Sequence, residues 1–295
     1  MANLKDIKRK ISSVKGTQKT TRAMKLVSSA KLKRAEEVAK RSKVYASKLT
    51  ELLNEIAQKI TQGNEDGIDN VFFAGNKNPK NVDIVFVTSD KGLCGGFNSQ
   101  TIRHTQKLME SFGSEVNVRL SGVGKKGVAF FKYNQVEMIN QIDDLSSKPN
   151  YERSTELISS LVEDYVNGKT DKIILIHNGY VNMIMQRIYE QQLLPVDTSK
   201  LELTKSVAMS ELEIEPDDDD TLLDALVKKY IDYTMYYALL DSLAAEHSAR
   251  MQAMDAATNN ASDMVKSLQV KYNKARQESI TTELIEIISG MESLK

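Results

Sequence analysis

Two long tracts without helix-breaking residues, one towards each end of the 295-residue chain, constrain its fold more than any other feature. Neither glycine nor proline occurs from Thr17 to Gln62 or from Asp217 to Ser289. Proline costs about 3 kcal/mol and glycine about 1 kcal/mol inside a helix, so tracts of this length predict helices. We therefore expect an N-terminal helix within residues 1–62, a punctuated domain over residues 70–200, and a C-terminal helix within residues 211–295.

Small or apolar side chains recur in both tracts at alternating spacings of three and four residues. A sustained period of about 3.5 residues is that of a left-handed coiled coil. Because the two helices are joined through the middle segment, the simplest prediction is an antiparallel pair. The predicted N-terminal seam is Leu4, Ile7, Ile11, Val14, Gln18, Thr21, Lys25, Ser28, Leu32, Ala35, Ala39, Ser42, Ala46, Leu49, Leu53, Ile56 and Ile60. The predicted C-terminal seam is Leu226, Tyr230, Tyr233, Tyr237, Leu240, Ala244, His247, Met251, Met254, Thr258, Ala261, Val265, Leu268 and Tyr272.

One segment of the N-terminal seam is polar where a plain coiled coil has leucine or isoleucine. Its four polar positions are Gln18, Thr21, Lys25 and Ser28. The apolar residues of this segment are out of phase with the seam, and they are Ala23, Met24, Val27 and Ala30. Two interpretations remain open: a local stutter of the seam, or packing of this segment against something other than its partner helix.

Strand-like and helix-like patterns alternate through the middle segment. The predicted strands are NVDIVFVTSD, EVNVRLSG, QVEMINQI and DKIILIHNG, followed by a returning edge strand in NMIMQRIYEQQLLP. The predicted helices are NSQTIRHTQKLMESF capped by Asn98, KKGVAFFKYN, and YERSTELISSLVEDYVNG ending at Gly168. Such alternation implies a mainly parallel sheet with helices on both faces. The predicted fold class is α/β plus a long antiparallel coiled coil, with a Rossmann-like α/β domain inserted between the two terminal helices.

A G-x-G-x-x-G pattern at Gly122, Gly124 and Gly127 matches the glycine spacing of a dinucleotide-binding fingerprint. A true site of this kind follows the first strand of its unit and has an acidic residue about 20 positions further on. Here the glycines follow the second predicted strand, and Asp143 and Asp144 lie beyond the next strand. We interpret the pattern as a tight strand-to-helix turn.

The sequence predicts no active site, no cofactor and no metal site in this chain. It contains neither a G-x-S-x-G nor an H-E-x-x-H pattern, and one cysteine with three histidines is a poor supply of metal ligands. Cys94 is interpreted as a small buried thiol in a turn, and His247 as a packed seam residue. The acids Asp217 to Asp220 favour a helix start through the helix dipole, without any ligand.

Charge is distributed unevenly although the formal net charge is zero. The chain is strongly basic up to Lys48 and strongly acidic over residues 211–220, a pattern typical of proteins with charged partners. No apolar run approaches the length of about 18 residues that marks a membrane span, and the first residues lack the apolar core of a secretory signal. We therefore expect a cytoplasmic location.

Both terminal tracts closely resemble the gamma subunit of bacterial F-type ATP synthases. The resemblance lies in MANLKDIKRKISSVKGTQKTTRAMKLVSSAKLKRAEE at the start and in the segment from AAEHSARMQAMDAATNN to ARQESITTELIEIISGMESL at the end. TSDKGLCGGFN, GVGKKG and EPDDDDTLLDAL extend it to essentially the whole chain. Gly16 and Thr20 stand where the family more often has asparagine and isoleucine, and the lone cysteine leaves out the pair of the redox-regulated chloroplast form.

The resemblance implies a central rotor shaft turning inside a ring of three alpha and three beta subunits, in which the beta subunits carry the catalytic sites. It implies that the inserted domain lies near the membrane, docked to the epsilon subunit and the c-ring. The chain would then lie on the cytoplasmic face of the bacterial inner membrane, associated with it only through the complex. A basic track from Lys19 through Arg34 would face acidic loops of beta.

The same resemblance assigns partner-binding roles to six residues. Met24 and Lys25, with Glu246 and Arg250 on the facing helix, correspond to the neck of the shaft near the beta lever. In ARQESIT, a further contact with beta is assigned to Arg276 and Gln277. The tail LIEIISGMESL corresponds to an apolar tip held in a bearing formed by the ring.

Two other functions remain as alternatives. A nucleotide-binding α/β enzyme would rest on Gly122, Gly124 and Gly127 alone, and would bind NAD or ATP as an isolated chain. A basic coiled-coil nucleic-acid-binding protein would rest on the N-terminal lysines, and its binding would fall steeply with salt. Its basic tract has no interleaved aromatic residues, and we expect no nucleic-acid partner.

Overall fold

Two long helices begin and end the part of the chain that the computed structural model describes, which is residues 4–63, 70–76, 78–196 and 219–292. Helix α1 spans Leu4–Gly63 and helix α5 spans Asp219–Glu292, so they contain 60 and 74 residues. The breaker-free tracts thus form continuous helices, as predicted. The predicted start of the C-terminal helix, residues 211–218, lies outside the described residues.

A five-stranded sheet with three helices lies between them in the sequence. Its elements are β1 (Asn81–Val87), α2 (Phe97–Ser111), β2 (Asn117–Val123), α3 (Lys125–Tyr133), β3 (Met138–Ile142), α4 (Tyr151–Val166), β4 (Lys172–Tyr180) and β5 (Gln186–Leu194). The strand order is β3-β2-β1-β4-β5. All neighbouring strands are parallel except β4 and β5, so the returning edge strand of the prediction is confirmed.

Burial explains the order of the strands. Strands β1 and β4 are buried on both faces and lie at the centre, whereas β5 lies at the edge, where its first seven residues are half-buried or exposed and only its last two are buried. One face of the sheet packs against α2 and α3 through Phe86, Ile102 and Phe131. The other face packs against α4 and α5 through residues such as Ile158 and Met235. Helices therefore cover both faces, as the alternation of strands and helices predicts.

The predicted cap of α2 is wrong. This helix begins at Phe97 with Gly96 at the cap position, and no side chain caps it. The side chain of Asn98 instead binds the preceding loop, where its Oδ1 accepts the backbone N–H of Ser89 at 2.9 Å. Helix α4 is capped by Asn150, whose Oδ1 accepts the N–H of Arg153, and Gly168 follows its end with φ +70°.

The chain divides into two compact units, described separately below. Met1–Ser29 and Arg250–Lys295 form the terminal unit, and Ala30–Ala249 form the central unit. Within each unit the buried side chains of α1 fall on the predicted seam. In the terminal unit they are Ile7, Thr21 and Ser28, and in the central unit they are Leu32, Ala35, Ala39, Ser42, Leu49 and Leu53. Ile60, also a seam position, has a side chain outside the described set.

Candidate functional site

Helices α1 and α5 contact each other within the terminal unit through polar side chains. The hydroxyls of Thr21 and Thr258 are hydrogen-bonded at 2.8 Å, and Lys25 Nζ donates to Asp255 Oδ1 at 2.7 Å. The contact advances along α1 from Thr21 to Lys25 while it retreats along α5 from Thr258 to Asp255. The two helices are therefore antiparallel in this unit.

The polar segment of α1 does not contain a stutter. Thr21 and Ser28 are buried, so the seam keeps its phase through the polar positions. Three of the four out-of-phase apolar residues, Ala23, Val27 and Ala30, are exposed, and Met24 is half-buried. Val27 is 56% exposed and neighbouring Leu26 is 64% exposed. The stutter interpretation is wrong, and the described residues leave this apolar surface of α1 uncovered.

Threonine hydroxyls make this seam compatible with burial. Thr21 donates to the carbonyl of Gln18 at 3.1 Å, and Thr258 donates to the carbonyl of Met254 at 2.7 Å. Because each hydroxyl has one proton, Thr21 donates to Gln18, and Thr258 donates either to Thr21 across the seam or to Met254 on its own helix. This pairing avoids the cost of an unsatisfied buried polar group, which is about 1–3 kcal/mol.

The six residues selected from the sequence differ in exposure. Met24 and Lys25 are half-buried, Arg276 and Gln277 are exposed, and Arg250 is buried, all in the terminal unit. In the central unit, Glu246 is also buried.

Lys25 pairs with Asp255, which the sequence analysis did not select. The register of the two seams could have predicted this pair, because Lys25 is a seam position and Asp255 directly follows the seam residue Met254.

Cationic side chains project from α1 in both units. Lys19 and Arg22 are exposed in the terminal unit, and Lys31, Lys33 and Arg34 are exposed in the central unit. Surface ion pairs contribute about 0–1 kcal/mol each, so such cations suit contacts that form and break easily.

The end of α5 is exposed on every side. All residues from 281 to 291 are exposed, although many of them are large and apolar. The exposed apolar residues of this segment, with one that precedes it, are Ile280, Leu284, Ile285, Ile287, Ile288 and Met291. A contiguous exposed apolar surface marks a site of interaction with another molecule.

The G-x-G-x-x-G segment forms a closed turn between β2 and α3. Gly124 has φ +97°, and a Cβ at this position would collide with the carbonyl oxygen of Thr88. A Cβ on Gly127 would lie 2.6 Å from the ring of Phe86. The glycines therefore allow α3 to pack closely against the end of β1, as the turn interpretation predicts.

An internal carboxylate lies where a phosphate would bind such a turn. Asp90 accepts the backbone N–H groups of Lys125 at 3.1 Å, Asp144 at 3.2 Å and Ser147 at 3.2 Å. Burial raises the pKa of Asp90, but these hydrogen bonds outweigh it and leave the pKa below its usual value. Since the N–H of Gly127 donates to the Thr88 hydroxyl at 2.9 Å, the start of α3 already has its partners.

The other side chains considered for catalysis or metal binding are also buried in the fold. Cys94 is buried, and the side-chain amide of Asn98 donates to its sulfur at 3.3 Å. His247 is buried on α5, as predicted. The described residues contain no group of three or more side chains that could hold a metal ion. Asp217 and Asp218 lie outside them.

A cluster of tyrosines escaped the sequence analysis. Tyr45, Tyr151, Tyr233 and Tyr236 line one open cleft in the central unit. The sequence contained a signal for it, because YIDYTMYY is far richer in tyrosine than the rest of the chain. Of the four, only Tyr233 lies on a predicted seam, where it is expected only to pack.

No helix among the described residues is both long and apolar enough to cross a bilayer.

A family model described as "ATP synthase" matches residues 3–294. The ATP synthase gamma chain of Sulfurovum sp. (strain NBC37-1) is 68% identical over the full length of both chains.

Two solved structures share the fold. The rotor of the Euglena gracilis mitochondrial ATP synthase in rotational state 1 matches with a TM-score of 0.68 at 18% identity, covering 94% of this chain and 98% of the other. A chain of the OSCP/F1/c-ring structure of the same enzyme, in rotational state 3, matches with a TM-score of 0.68 at 17% identity. It covers 99% of this chain and 94% of the other.

Proposed function

Because the chain belongs to the ATP synthase gamma chain family, we propose that it is the central-stalk rotor subunit of a bacterial F-type ATP synthase. It couples proton-driven rotation to conformational change at catalytic sites carried by other subunits. The observation that carries the proposal is the 68% identity with a gamma chain over the full length of both proteins.

The proposed shaft is an antiparallel coiled coil of α1 and α5. Support comes from the Thr21–Thr258 and Lys25–Asp255 contacts in the terminal unit and from burial along α1 that follows the 3.5-residue seam. The sheet with its 3-2-1-4-5 strand order is the proposed Rossmann-like insert. The proposed domains of the whole chain are residues 1–62, 70–200 and 211–295.

The proposed partners are the alpha and beta subunits of the catalytic hexamer, the epsilon subunit and the c-ring. Similarity to chains from a structure entitled OSCP/F1/c-ring supports the F1 and c-ring contacts. The chain would lie at the cytoplasmic face of the inner membrane, held there through the complex. We propose no nucleic-acid partner.

The exposed surface of α1 suits a part that turns against its neighbours. Lys19, Arg22 and Lys31 offer charges in solvent, where each ion pair contributes about 0–1 kcal/mol. Leu26 and Val27 add a shallow apolar surface without a deep anchor. Contacts of this kind do not bind the shaft strongly in any one orientation. The shaft can therefore rotate between equivalent positions without a high free-energy barrier.

Coupling follows from asymmetry of the shaft. Each shaft angle favours a different set of conformations at the catalytic sites, so nucleotide affinity depends on the angle. By thermodynamic linkage, nucleotide binding biases the angle to the same extent. The chain can therefore transmit free energy in either direction without containing an active site.

Six side chains are proposed partner contacts. Met24 and Lys25 are partly accessible on α1, and Arg276 and Gln277 are accessible on α5. The burial of Glu246 and Arg250 leaves less of each side chain for a partner, so we propose that they act mainly by fixing the helix surface around them.

Reconstitution tests the proposal. The chain is mixed with alpha and beta subunits of its own organism, and co-elution and ATP hydrolysis are measured. A complex with one copy per hexamer and stimulated hydrolysis is the expected result. Failure to assemble, with NAD, ATP or nucleic acid bound by the chain alone, would overturn the rotor assignment.

A matched pair of variants tests the proposed contacts. Arg276→Ala with Gln277→Ala should weaken stimulation of hydrolysis, because both side chains are exposed and assigned to beta. The control is Lys266→Ala, which changes an exposed cation of the same helix that pairs with Asp263 at 3.1 Å. Equal activity of the two variants would remove Arg276 and Gln277 from the site.

A further inference from the structure

An open cleft of about 440 Å³ lies within the central unit, between α1, the start of α4 and α5. Four tyrosines, Tyr45, Tyr151, Tyr233 and Tyr236, form its walls, and we call it the tyrosine cleft. Its volume falls within the range of about 300–1,000 Å³ that is usual for small-molecule sites. The rotor function proposed above gives it no role.

The four rings present both faces and edges to the cleft. The rings of Tyr45 and Tyr233 have centroids 4.4 Å apart, and those of Tyr151 and Tyr236 are nearly perpendicular with centroids 5.6 Å apart. A further planar ring can therefore stack on one tyrosine and meet the edge of another. Offset-stacked and edge-to-face arrangements are the two that aromatic rings favour.

Two cations border the same cleft. Lys229 Nζ lies 5.0 Å from the centre of the Tyr151 ring and donates a hydrogen bond of 2.9 Å to its hydroxyl. This hydrogen bond raises the pKa of Lys229, so the amine is charged at neutral pH. Arg41, an exposed residue of α1, is the second cation.

The side chains that line the cleft carry charge of one sign, and Asp232 beside them interacts with the charge of Lys229. Of the described residues that line it, two are cations and none is a carboxylate. A cation held beside aromatic faces attracts an anion without losing its contact with the rings. A guanidinium also stacks on a flat ring, which an ammonium does not do. The lining therefore combines ring recognition with anion recognition in one place.

We propose that the tyrosine cleft binds a small planar aromatic anion. Its ring system stacks against Tyr233 and Tyr45, and its anionic group lies towards Lys229 and Arg41. The ligand class is an aromatic carboxylate or sulfonate of two or three fused rings. None of the six residues proposed above as partner contacts lines this cleft.

The probe pair that tests the site is 2-naphthoate and its neutral isostere 2-naphthamide, titrated into the full-length chain. Because the chain has no tryptophan, naphthalene fluorescence can be followed without tryptophan emission. We expect saturable binding of one 2-naphthoate per chain. The amide should bind about tenfold more weakly, a difference equivalent to about 1.4 kcal/mol.

Variants locate the binding. Lys229→Met and Tyr233→Leu should each weaken 2-naphthoate binding by about tenfold, through loss of charge and of a stacking surface. Tyr233→Phe should retain the affinity, since the ring is kept. Lys228→Met is the matched control, because Lys228 Nζ lies over the ring of Phe72, outside the cleft.

Three outcomes would overturn the proposal: absence of saturable binding, equal affinity for naphthoate and naphthamide, or unchanged affinity in Lys229→Met. Lys229 is exposed, so its variant should fold normally and gives a reading even if Tyr233→Leu is unstable. Thermal unfolding of each variant, followed by circular dichroism, separates loss of the site from loss of the fold.

Discussion

Helix α5 has two stretches of opposite character. From Ala238 to Ala249, in the central unit, every residue except Leu243 is buried. From residue 281 to residue 291, in the terminal unit, every residue is exposed. Both stretches are rich in apolar side chains, so hydrophobicity alone does not explain the difference. The first stretch is covered by other parts of its unit, whereas the second has an apolar surface that the described residues leave uncovered.

The difference shows that the two stretches are stabilised differently. Burial of an apolar side chain contributes about 1.5–3 kcal/mol, so the first stretch is held by the core of its unit. An exposed helix is stabilised only by helix propensity and capping. Each of these contributes from a fraction of a kcal/mol to about 1 kcal/mol per residue to the free energy of folding. We therefore interpret the apolar side chains of the second stretch as a surface that binds a partner. The bearing contact that the family resemblance implies is such a partner.

The largest expected effect comes from shortening a buried side chain of α5. Met235→Ala, at a position with no exposed surface, should lower the free energy of unfolding by about 2–5 kcal/mol. Ile288→Ala should change it by less than about 0.5 kcal/mol. Both changes are measured by denaturant unfolding. Near-UV circular dichroism of the tyrosines follows the unfolding of Met235→Ala, and far-UV circular dichroism follows that of Ile288→Ala. Similar values for the two variants would remove the distinction between the stretches.

A smaller effect, with a pH signature, is expected in the loops of the central unit. The folded-state pKa of Asp90 is lowered, so its stabilisation is complete above the unfolded-state pKa and is lost as pH falls through the folded-state pKa. Asp90→Asn should cost about 1–3 kcal/mol at neutral pH and little in acid. Unfolding free energies measured between neutral pH and the acid limit check this. A constant difference across that range would contradict the role given to the carboxylate.

The smallest effect is expected in the terminal unit. The side chains of Lys25 and Asp255 are 39% and 47% exposed, so Lys25→Met should change stability by less than about 1 kcal/mol. The change should vanish near 1 M salt, where the screening length is about 3 Å. Thermal unfolding at low and high salt measures it. A larger effect that persists in salt would mean that this pair is held as firmly as the buried groups of the central unit.

The sequence predicted the elements well because their patterns are local. The breaker-free tracts, the seam of α1 and the alternation of strands and helices each follow from side-chain spacing. At the start of α5 the predicted seam is wrong by one position: Leu223, Val227, Ile231 and Met235 are fully buried, whereas the predicted Leu226, Tyr230, Tyr233 and Tyr237 are half-buried. Even Thr21 and Ser28 were placed on the correct face, although the apolar neighbours of these residues suggested another phase.

The remaining errors depend on contacts distant in sequence. Asn98 has the right residue type for a cap, but Ser89 in the preceding loop binds its side chain instead. The tyrosine cleft unites Tyr45 from α1 with Tyr151 and Tyr233 from two other helices. Lys25 and Asp255 are 230 residues apart. No periodicity within one segment can reveal which distant side chain will occupy a neighbouring position.

Asp90 also lets the loops around the glycine-rich turn of the central unit form without a bound phosphate. In a nucleotide-binding protein, the loops around a glycine-rich turn become ordered when phosphate arrives, and they loosen when it leaves. Here a covalently attached carboxylate holds the N–H groups of Lys125, Asp144 and Ser147 at all times. The hydrogen bonds of this loop cluster therefore require no bound nucleotide. A part that transmits torque benefits from stiffness that does not vary with the concentration of the fuel.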